Sequence, residues 1–552
     1  MRRTLGLFAG PVLLSIACAV APAHAQWVTT LSANNIVCNA ANNQNTPLTF
    51  SDGSGGFVTV WRDARTSGHA DLYAQSYDAS GFARWTANGV VVDSTVGAFD
   101  AVVACPDDSG GVIVAWQRGN GAAANRVFAQ RLDAFGQQRW GAGGVRVGTA
   151  EVTQTLPRIA ADGEGGAIVA WANWYNSFTA NVYGQRLSPD GVRLWSATGD
   201  SIVARGEVRS LTMTRRPGGG AFVGYWYTFG SLGMIALDNA RTRLMSDTIT
   251  TAASQTSPPG LYSATAGDGA YLMMAGGTNL NVRWFGANGD RWPASVRVVA
   301  GNHSQAHPTL VGGGPDGSAL LAWRDGRASG GGVFVQKLRV DGTPLWGTDG
   351  LFVTNNVTLN GGGHAITADD LNGAWVAWSA NVDRIAQHIQ SSGAFWFPAA
   401  GKVFSNANSS NFTYDAATIV PGVQSSAIVV WATTQSAGTF NDVHAKHLFG
   451  NGSITTTGVG DGGPRLSGLA LVAGPSPARG DVTLRFALPR GGRATLELFG
   501  LQGERVATVA DGAFSAGEHA RTIDTSRLRP GVYHARLTTS EGMATAKVVS
   551  VK

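Results

Sequence analysis

Gly55-Gly56-Phe57-Val58-Thr59-Val60-Trp61 is a phrase that the chain repeats. It returns as Gly110-Gly111-Val112-Ile113-Val114-Ala115-Trp116 and as Gly165-Gly166-Ala167-Ile168-Val169-Ala170-Trp171. Later copies end at Tyr225, Met274, Trp323, Trp378 and Trp431. Successive anchors stand 55, 55, 54, 49, 49, 55 and 53 residues apart. A fixed period of about 50 residues marks a propeller or a solenoid. Consecutive apolar residues in each copy read as a strand covered on both faces.

One full unit surrounds the first copy. Pro47 to Phe50 is a first strand, and Asp52-Gly53-Ser54-Gly55-Gly56 is a hairpin turn, since Asp-Gly and Gly-Gly supply the positive φ that such turns need. Phe57 to Trp61 is a second strand and Asp71 to Asp78 a third. A turn at Ser80-Gly81 leads to Trp85, and Val90 to Val92 is a fourth strand. Four antiparallel strands in about 50 residues make one propeller blade. The third strand and its turn recur at Val127 to Asp133 with Gly136 and Trp140, and at Val182 to Leu187 with Gly191 and Trp195. They recur again at Val333 to Leu338 with Gly342 and Trp346, and at Ile385 to Ile389 with Gly393 and Trp396. Leu232 to Leu237 and Asn281 to Phe285 are degenerate copies. Thirteen of the 17 tryptophans fall at or beside the two repeated positions, which assigns them to packing between blades.

The last repeat has Ala427 to Trp431 and Val443 to Leu448, with no fourth strand after them. At the other end, Trp27 followed by Asn34-Asn35-Ile36-Val37 resembles Trp85 followed by Asn88-Gly89-Val90-Val91. The expectation is an all-β chain whose N-terminal strand closes the last of eight four-stranded blades. Closure removes exposed sheet edges, and a linear solenoid has no need of it.

At 552 residues the chain exceeds one ordinary domain. Arg2 and Arg3, an apolar run from Leu5 to Ala21 and then Ala23-His24-Ala25 read as a secretory signal peptide cut before Gln26. The run contains Pro11 and falls short of the ~20 residues of a spanning helix. No later segment is long and apolar enough to span a bilayer. Charged residues are 14% of the chain, against roughly 25% in average proteins, and Gly is 75 of 552. Both suit many tight turns. Residues 26–468 hold 28 basic and 29 acidic side chains, so nucleic acid is excluded as a partner for want of a basic footprint. Cys38 and Cys105 survive signal removal and read as isolated apolar residues.

Residues 456–468 have the composition of a flexible joint. Beyond them Val482 to Phe486, Ala494 to Phe499, Gly531 to Leu537 and Thr545 to Val551 alternate as short strands, the pattern of a β-sandwich. The ordered set Gly474-Pro475-Ser476-Pro477, Val482 to Phe486, Leu496 to Phe499, Gly503 to Val506, Ala516 to His519, Leu528 to Tyr533 and Lys547 to Val549 resembles a known family. It is similar to the C-terminal sorting domain of type IX secretion and to the immunoglobulin-like module of flagellar hook-capping proteins. The family carries Asn between the two prolines and Phe after them, where this chain has Ser476 and Ala478. The resemblance implies an Ig-like terminal address at 469–552, recognised by secretion machinery, and a secreted or cell-surface cargo. The domain reading is a signal peptide at 1–25, a propeller at 26–455, a linker at 456–468 and the sorting module at 469–552.

No phosphate-binding loop, zinc-helix motif or nucleophile elbow occurs, and neither a cofactor nor a metal is assigned. His303 and His307 are four apart within Gly301 to Pro308, which reads as a loop. The Asp-Gly turns at Asp52, Asp162 and Asp316 lack the alternating acids of a calcium loop. The one polar phrase that repeats is Trp61-Arg62-Asp63-Ala64-Arg65 and Trp323-Arg324-Asp325-Gly326-Arg327. Arginines beside a carboxylate suit an acidic ligand, but a local ion pair in a turn is the reading favoured here. Trp174, Tyr175 and Phe178 stand outside the periodic positions, in the equivalent loop of the third repeat, and are candidates for sugar or peptide contact. Arg62, Asp63, Arg65, Trp174, Tyr175, Phe178, Arg324, Asp325 and Arg327 are therefore the candidate ligand-binding residues, all in loops of one rim. The reading is a non-enzymatic binding module, with a glycan hydrolase or lyase working in the central funnel as the alternative.

Overall fold

The computed structural model describes residues 27–450 and 470–550, apart from 67–68, 96–97, 120–124, 177–178, 205, 207, 228–230, 251–259, 267–268, 277–278, 287–291, 293–295, 299–304, 313, 315, 328–330, 358–362, 381–382, 407–416, 435–440, 475–480, 489–491, 501–503, 515–516 and 540–541. The signal-like start at 1–25, the joint at 456–468, His303 and Phe178 lie outside the described residues. The fold is all-β. No α-helix occurs among the described residues, and none is long and apolar enough to cross a membrane.

The first strand, β1 (Asn35–Cys38), is spatially the last of its sheet. Sheet one is β2 (Gln44–Ser51), β3 (Phe57–Asp63), β4 (Asp71–Tyr77) and β5 (Val90–Asp93). Sheet two is β6 (Ala98–Pro106), β7 (Val112–Gly119), β8 (Arg126–Leu132) and β9 (Val145–Arg146). Sheet three is β10 (Thr153–Ala161), β11 (Ala167–Asn176), β12 (Thr179–Leu187) and β13 (Asp200–Val203). Sheet four is β14 (Val208–Arg215), β15 (Ala221–Tyr227), β16 (Ser231–Leu237) and β17 (Arg243–Thr250). Sheet five is β18 (Gly260–Ala266), β19 (Gly269–Gly276), β20 (Asn279–Gly286) and β21 (Val296–Arg297). Sheet six is β22 (Gln305–Gly312), β23 (Ala319–Asp325), β24 (Gly332–Leu338) and β25 (Leu351–Thr354). Sheet seven is β26 (His364–Ala368), β27 (Ala374–Ala380), β28 (Asp383–Ile389) and β29 (Lys402–Ser405). Sheet eight is β30 (Thr418–Pro421), β31 (Ala427–Thr434) and β32 (Asn441–Leu448), completed by β1.

The result is a propeller-like succession of repeated antiparallel four-stranded sheets. The repeated phrase is the second strand of its sheet, and the tryptophans that end it at 61, 116, 171, 323, 378 and 431 are at most 1% exposed. Its two glycines do different work. Gly55, Gly110 and Gly165 have φ between 83° and 92°, where a side chain is strained. A Cβ on Gly56, Gly111 or Gly166 would lie 2.1 Å from the carbonyl oxygen of Tyr77, Leu132 or Leu187. The aspartate that opens the turn accepts from the backbone, as Asp107 does from Ser109 and Gly111 at 2.9 and 2.7 Å. It also pairs with the third strand, as Arg131 to Asp107, Arg186 to Asp162, Lys337 to Asp316 and His388 to Asp369.

A buried glutamine in the third strand clips the next loop. Gln130 donates to the Gly141 carbonyl at 2.5 Å and accepts from the Trp140 amide at 3.0 Å. Gln75, Gln185, Gln336 and Gln387 make the same two bonds in their own sheets. The tryptophan so placed hooks the following sheet: Trp85 Nε1 donates to Ala134 O and Trp140 Nε1 to Pro189 O, both at 2.9 Å. In sheet seven the clipped residue is Phe397, and Trp396 beside it is 52% exposed, so the sequence reading was offset by one residue there. Gln130→Leu leaves buried backbone groups without partners. It should cost about 2–3 kcal/mol, read as a lowered urea midpoint of the mature protein, while Gln137→Leu in the exposed turn should leave that midpoint unchanged.

The first strands β2, β6, β10, β14, β18, β22, β26 and β30 each pack on the next, and β30 packs on β2. β1 pairs with β32 through Asn35↔Ala445 and Ile36↔His444. Trp27 is 3% exposed, and its Nε1 donates to Ala79 O in sheet one at 2.9 Å. It does there what Trp85 does between sheets one and two. Thr46, Ala101, Leu156 and His307 share left-handed φ values of 53°, 47°, 55° and 50°, at a repeated bulge in the first strands. His307 is thus in β22, and the stretch around it is strand from Gln305 onward rather than loop.

The C-terminal region has two sheets. β33 (Ala470–Gly474), β34 (Asp481–Leu488) and β37 (Gly517–Asp524) form one. β35 (Gly492–Phe499), β36 (Arg505–Phe514), β38 (Gly531–Thr539) and β39 (Gly542–Ser550) form the other. Alternating residues of both sheets, Val482, Leu484 and Phe486 against Leu496, Leu498 and Leu537, share one core.

Candidate functional site

The Trp-Arg-Asp-x-Arg phrase folds inward. Asp63 is fully buried and accepts from Trp61 Nε1 at 2.7 Å, from the Arg65 amide at 2.9 Å, and from Arg65 Nε and Nη2 at 2.9 and 2.7 Å. The Arg65 guanidinium lies 3.7 Å over the Tyr73 ring and also donates to Asn88 O at 2.7 Å. Burial alone raises the Asp63 carboxyl, but the bonds from Arg65 and Trp61 outweigh it and hold it below the usual carboxylate range. Cys38 of β1 lies 3.2 Å from Arg65 Nη2, and burial pushes its thiol up to about 12. Cys105 is likewise a buried free thiol.

Sheet six repeats this arrangement. Trp323 Nε1 and the Arg327 amide both reach the Asp325 carboxylate at 2.9 Å. The Arg327 guanidinium lies 4.2 Å over Phe334. Asp63 and Asp325 are therefore internal clamps that fix the indole above and the turn below. The structure brings neither onto an open surface. Arg62 and Arg324 project beside the clamps and are half-buried. Arg65→Ala should cost about 2 kcal/mol, since it strands a buried carboxylate, and solvent at the guanidinium keeps the cost below that of an enclosed pair. Arg62→Ala should change stability by less than about 0.5 kcal/mol. Chemical denaturation of both variants checks the contrast.

The third sheet differs from the others at the same end. Its second and third strands extend to the pair Asn176↔Thr179, whereas the equivalent hairpin in sheet one ends at Asp63↔Asp71. Trp174 and Tyr175 sit on that extension. Strand alternation sends them to opposite faces. Tyr175 is 48% exposed and bonds Tyr183 through their hydroxyls at 2.6 Å. Burial and that bond push its phenol up to about 12. Trp174 turns toward sheet four and donates from Nε1 to Thr155 Oγ1 at 2.7 Å. There it lines an open pocket of about 390 Å3 with Thr153, Thr155, Leu156, Val208 and Arg209.

Sequence reasoning found Trp174 because it breaks the period, but it missed the pocket's other walls. One signal was available for them. Gln44, Gln154 and Gln305 recur two residues before the bulge, and sheet four has Val208 in that place, opposite Tyr227 as Gln154 is opposite Asn173. No group of three or more metal-ligating side chains occurs among the described residues.

Residues 474–552 match the family described as secretion system C-terminal sorting domain. The chain therefore ends in a type IX sorting domain, which indicates a secreted or cell-surface protein that engages the secretion machinery. No curated protein sequence matches the chain. Similar solved structures include a lectin from Burkholderia pseudomallei, at 14% identity over 64% of this chain and 96% of that one, TM-score 0.38. A fungal alcohol oxidase in complex with copper aligns at 12% identity over 82% and 100%, TM-score 0.36. A fucose-specific lectin from Aleuria aurantia aligns at 11% identity over 59% and 100%, TM-score 0.32.

Proposed function

We propose that residues 26–455 form a closed eight-bladed propeller whose rim binds an extracellular ligand, and that the module at 469–552 is an Ig-like sandwich serving as its export address. Residues 1–25 are the signal peptide in this reading and 456–468 the joint. The pairing of β1 with β32 and the packing of β30 on β2 support the ring. For the sandwich, support comes from the shared core of its two sheets and from Tyr533, whose hydroxyl donates to Arg529 O at 2.8 Å, four residues upstream. That is the corner bond such sandwiches use.

The observation that carries a binding role is the third-sheet hairpin. Among the described residues, its second and third strands alone pair as an aromatic-bearing ladder past the rim that the other sheets share. Arg62 and Arg324 stand near the ends of β3 and β23, in strands rather than the loops expected, and would border the ligand surface, which Phe178 is proposed from its sequence position to join. Asp63, Arg65, Asp325 and Arg327 would support it from within. Asp52, Asp107 and Asp162 of the repeated turns are committed to backbone amides and to arginines, which favours a binder over acid–base catalysis.

Immobilised mature protein, exposed separately to a polysaccharide panel and to cell-surface protein extracts, should retain ligand. The double variant Trp174→Ala/Tyr175→Ala should retain much less. Equal retention by the double variant, or none by the wild type, would sink the binding-module reading.

A further inference from the structure

We propose that the pocket between sheets three and four is a carbohydrate subsite, taking one sugar ring of a glycan against the Trp174 indole. The proposal rests on the binding-module reading and names its ligand class. One wall of the pocket, Val208, stands at a position whose side chain differs between sheets. At the preceding junction, between sheets two and three, the buried Gln154 holds that position. Its Oε1 accepts from the Val127 amide at 3.1 Å, and its Nε2 donates to Gly148 O at 3.3 Å. In sheet four the equivalent side chain is Val208, which is shorter and has no polar atom. It turns into the apolar cluster with Val182, Val203 and Leu211. Val208 thus stands where Gln154 does, against the third and fourth strands of the preceding sheet, and it also forms a wall of the pocket beside the first and second strands.

The walls suit a sugar. A pyranose offers C–H groups on its faces and hydroxyls around its edge, so it needs an aromatic plane and short polar groups at the margin. Trp174 supplies the plane, and its bond to Thr155 Oγ1 fixes the ring before any ligand arrives, which lowers the ordering cost of binding. Thr153 and Arg209 supply polar margins. The left-handed φ of 55° at Leu156 kinks the β10 backbone beside the pocket, and the Thr155/Arg158 register shift marks the same kink. A volume of about 390 Å3 is in the range of small-molecule sites. The position of Trp174 also argues for use. The corresponding residue, three after the anchor, is Ala64 in sheet one, Gly119 in sheet two and Gly326 in sheet six. None of these offers a ring.

The test uses the mature protein and isothermal titration with methyl hexosides, methyl hexuronides and short oligosaccharides. Saturable binding of at least one sugar is expected. Trp174→Ala should weaken it at least about tenfold, as truncating a central aromatic does. Val208→Gln, which lengthens a side chain that lines the pocket, should weaken it as well. Phe135→Ser, in an exposed turn at the other end of sheet two, should leave affinity unchanged. Trp174→Phe keeps a ring without the Thr155 bond and should lose less than Trp174→Ala. It also serves as the folding-safe variant. Sugar binding that Val208→Gln and the Trp174 variants leave intact would overturn the subsite. So would failure to bind any sugar, and if surface proteins were still retained the general binding reading would stand without it.

Discussion

Mature protein carrying Trp27→Ala should lose about 3–5 kcal/mol of stability, the cost of emptying a buried indole site, and should unfold at a clearly lower urea concentration. Trp27 precedes β1, the strand that completes sheet eight, and takes the place that Trp85 has one sheet on. Its weight comes from the two ends it joins. The ring packs on Phe57 of sheet one and on His447 of sheet eight, with centroids 6.3 and 5.3 Å away. Its N–H is committed to Ala79 O. Gly81 lies so close that a Cβ there would stand 2.9 Å from the indole, so nothing else in the turn fills the site once the indole is gone. Beyond the cavity, the β1–β32 pairing loses its anchor, and a frayed β1 exposes the β32 edge to other chains. The variant should therefore also aggregate sooner on warming. Trp396→Ala is the control: this tryptophan is half exposed, and its loss should cost less than about 0.5 kcal/mol. Matched urea midpoints for Trp27→Ala and wild type would mean that the first strand does not hold the last sheet.

The strands were legible because burial on both faces leaves a run of apolar residues, and the run from Phe57 to Trp61 recurs with little change. The joining of the two ends was legible from one resemblance, Trp27 and Asn34 to Val37 against Trp85 and Asn88 to Val91. What could not be read was where side chains turn within a strand end. Asp63 and Arg65 have the composition of an anion site, yet the backbone after Trp61 folds the carboxylate back under the indole. Trp174 and Tyr175 are neighbours in sequence and read as parts of one loop. Pleating divides them, one toward sheet two and one toward sheet four. The pocket beside Trp174 has Val208 as one wall, and Val208 carries no signal unless aligned with Gln154. The offset at Trp396 has a similar origin. Phe395, Trp396 and Phe397 are all aromatic, and only the bond from the Phe397 amide to Gln387 settles which one enters the interface.

Acid should loosen the junctions of sheets six to eight and one well before it protonates the clamping aspartates. His364, His444 and His447 are each at most 6% exposed, and burial lowers each imidazole to about 4. Each is surrounded by groups that resist a new positive charge or offer it little. His364 faces His307 and Arg324, and its ring nitrogens approach the backbone of Ala322 and His307 without a well-formed hydrogen bond. His444 faces Arg384, the Trp431 ring and the Thr433 backbone. His447 touches Ser426 Oγ at 2.9 Å and stacks near Trp27 and Phe449. A histidine lowered in the folded state binds its proton more readily when unfolded, where its pKa is about 6.5. Its contribution is complete above that value and is lost as pH falls toward 4. Each such group adds a slope of up to about 1.4 kcal/mol per pH unit within that window, so the three together reach about 4 kcal/mol per unit at the steepest. Asp63, Asp325 and Asp369 are held below the usual range, and their loss belongs to a lower window. Urea midpoints of the mature protein at closely spaced pH values from 7 to 4.5 should fall steeply below about pH 6. His444→Phe, which installs the side chain that Phe128 provides at the corresponding place in sheet two, should remove one proton from that dependence and flatten it by about a third. An unchanged slope in His444→Phe would mean that His444 takes up its proton equally in the folded and unfolded chain, and that this junction does not sense acid through it.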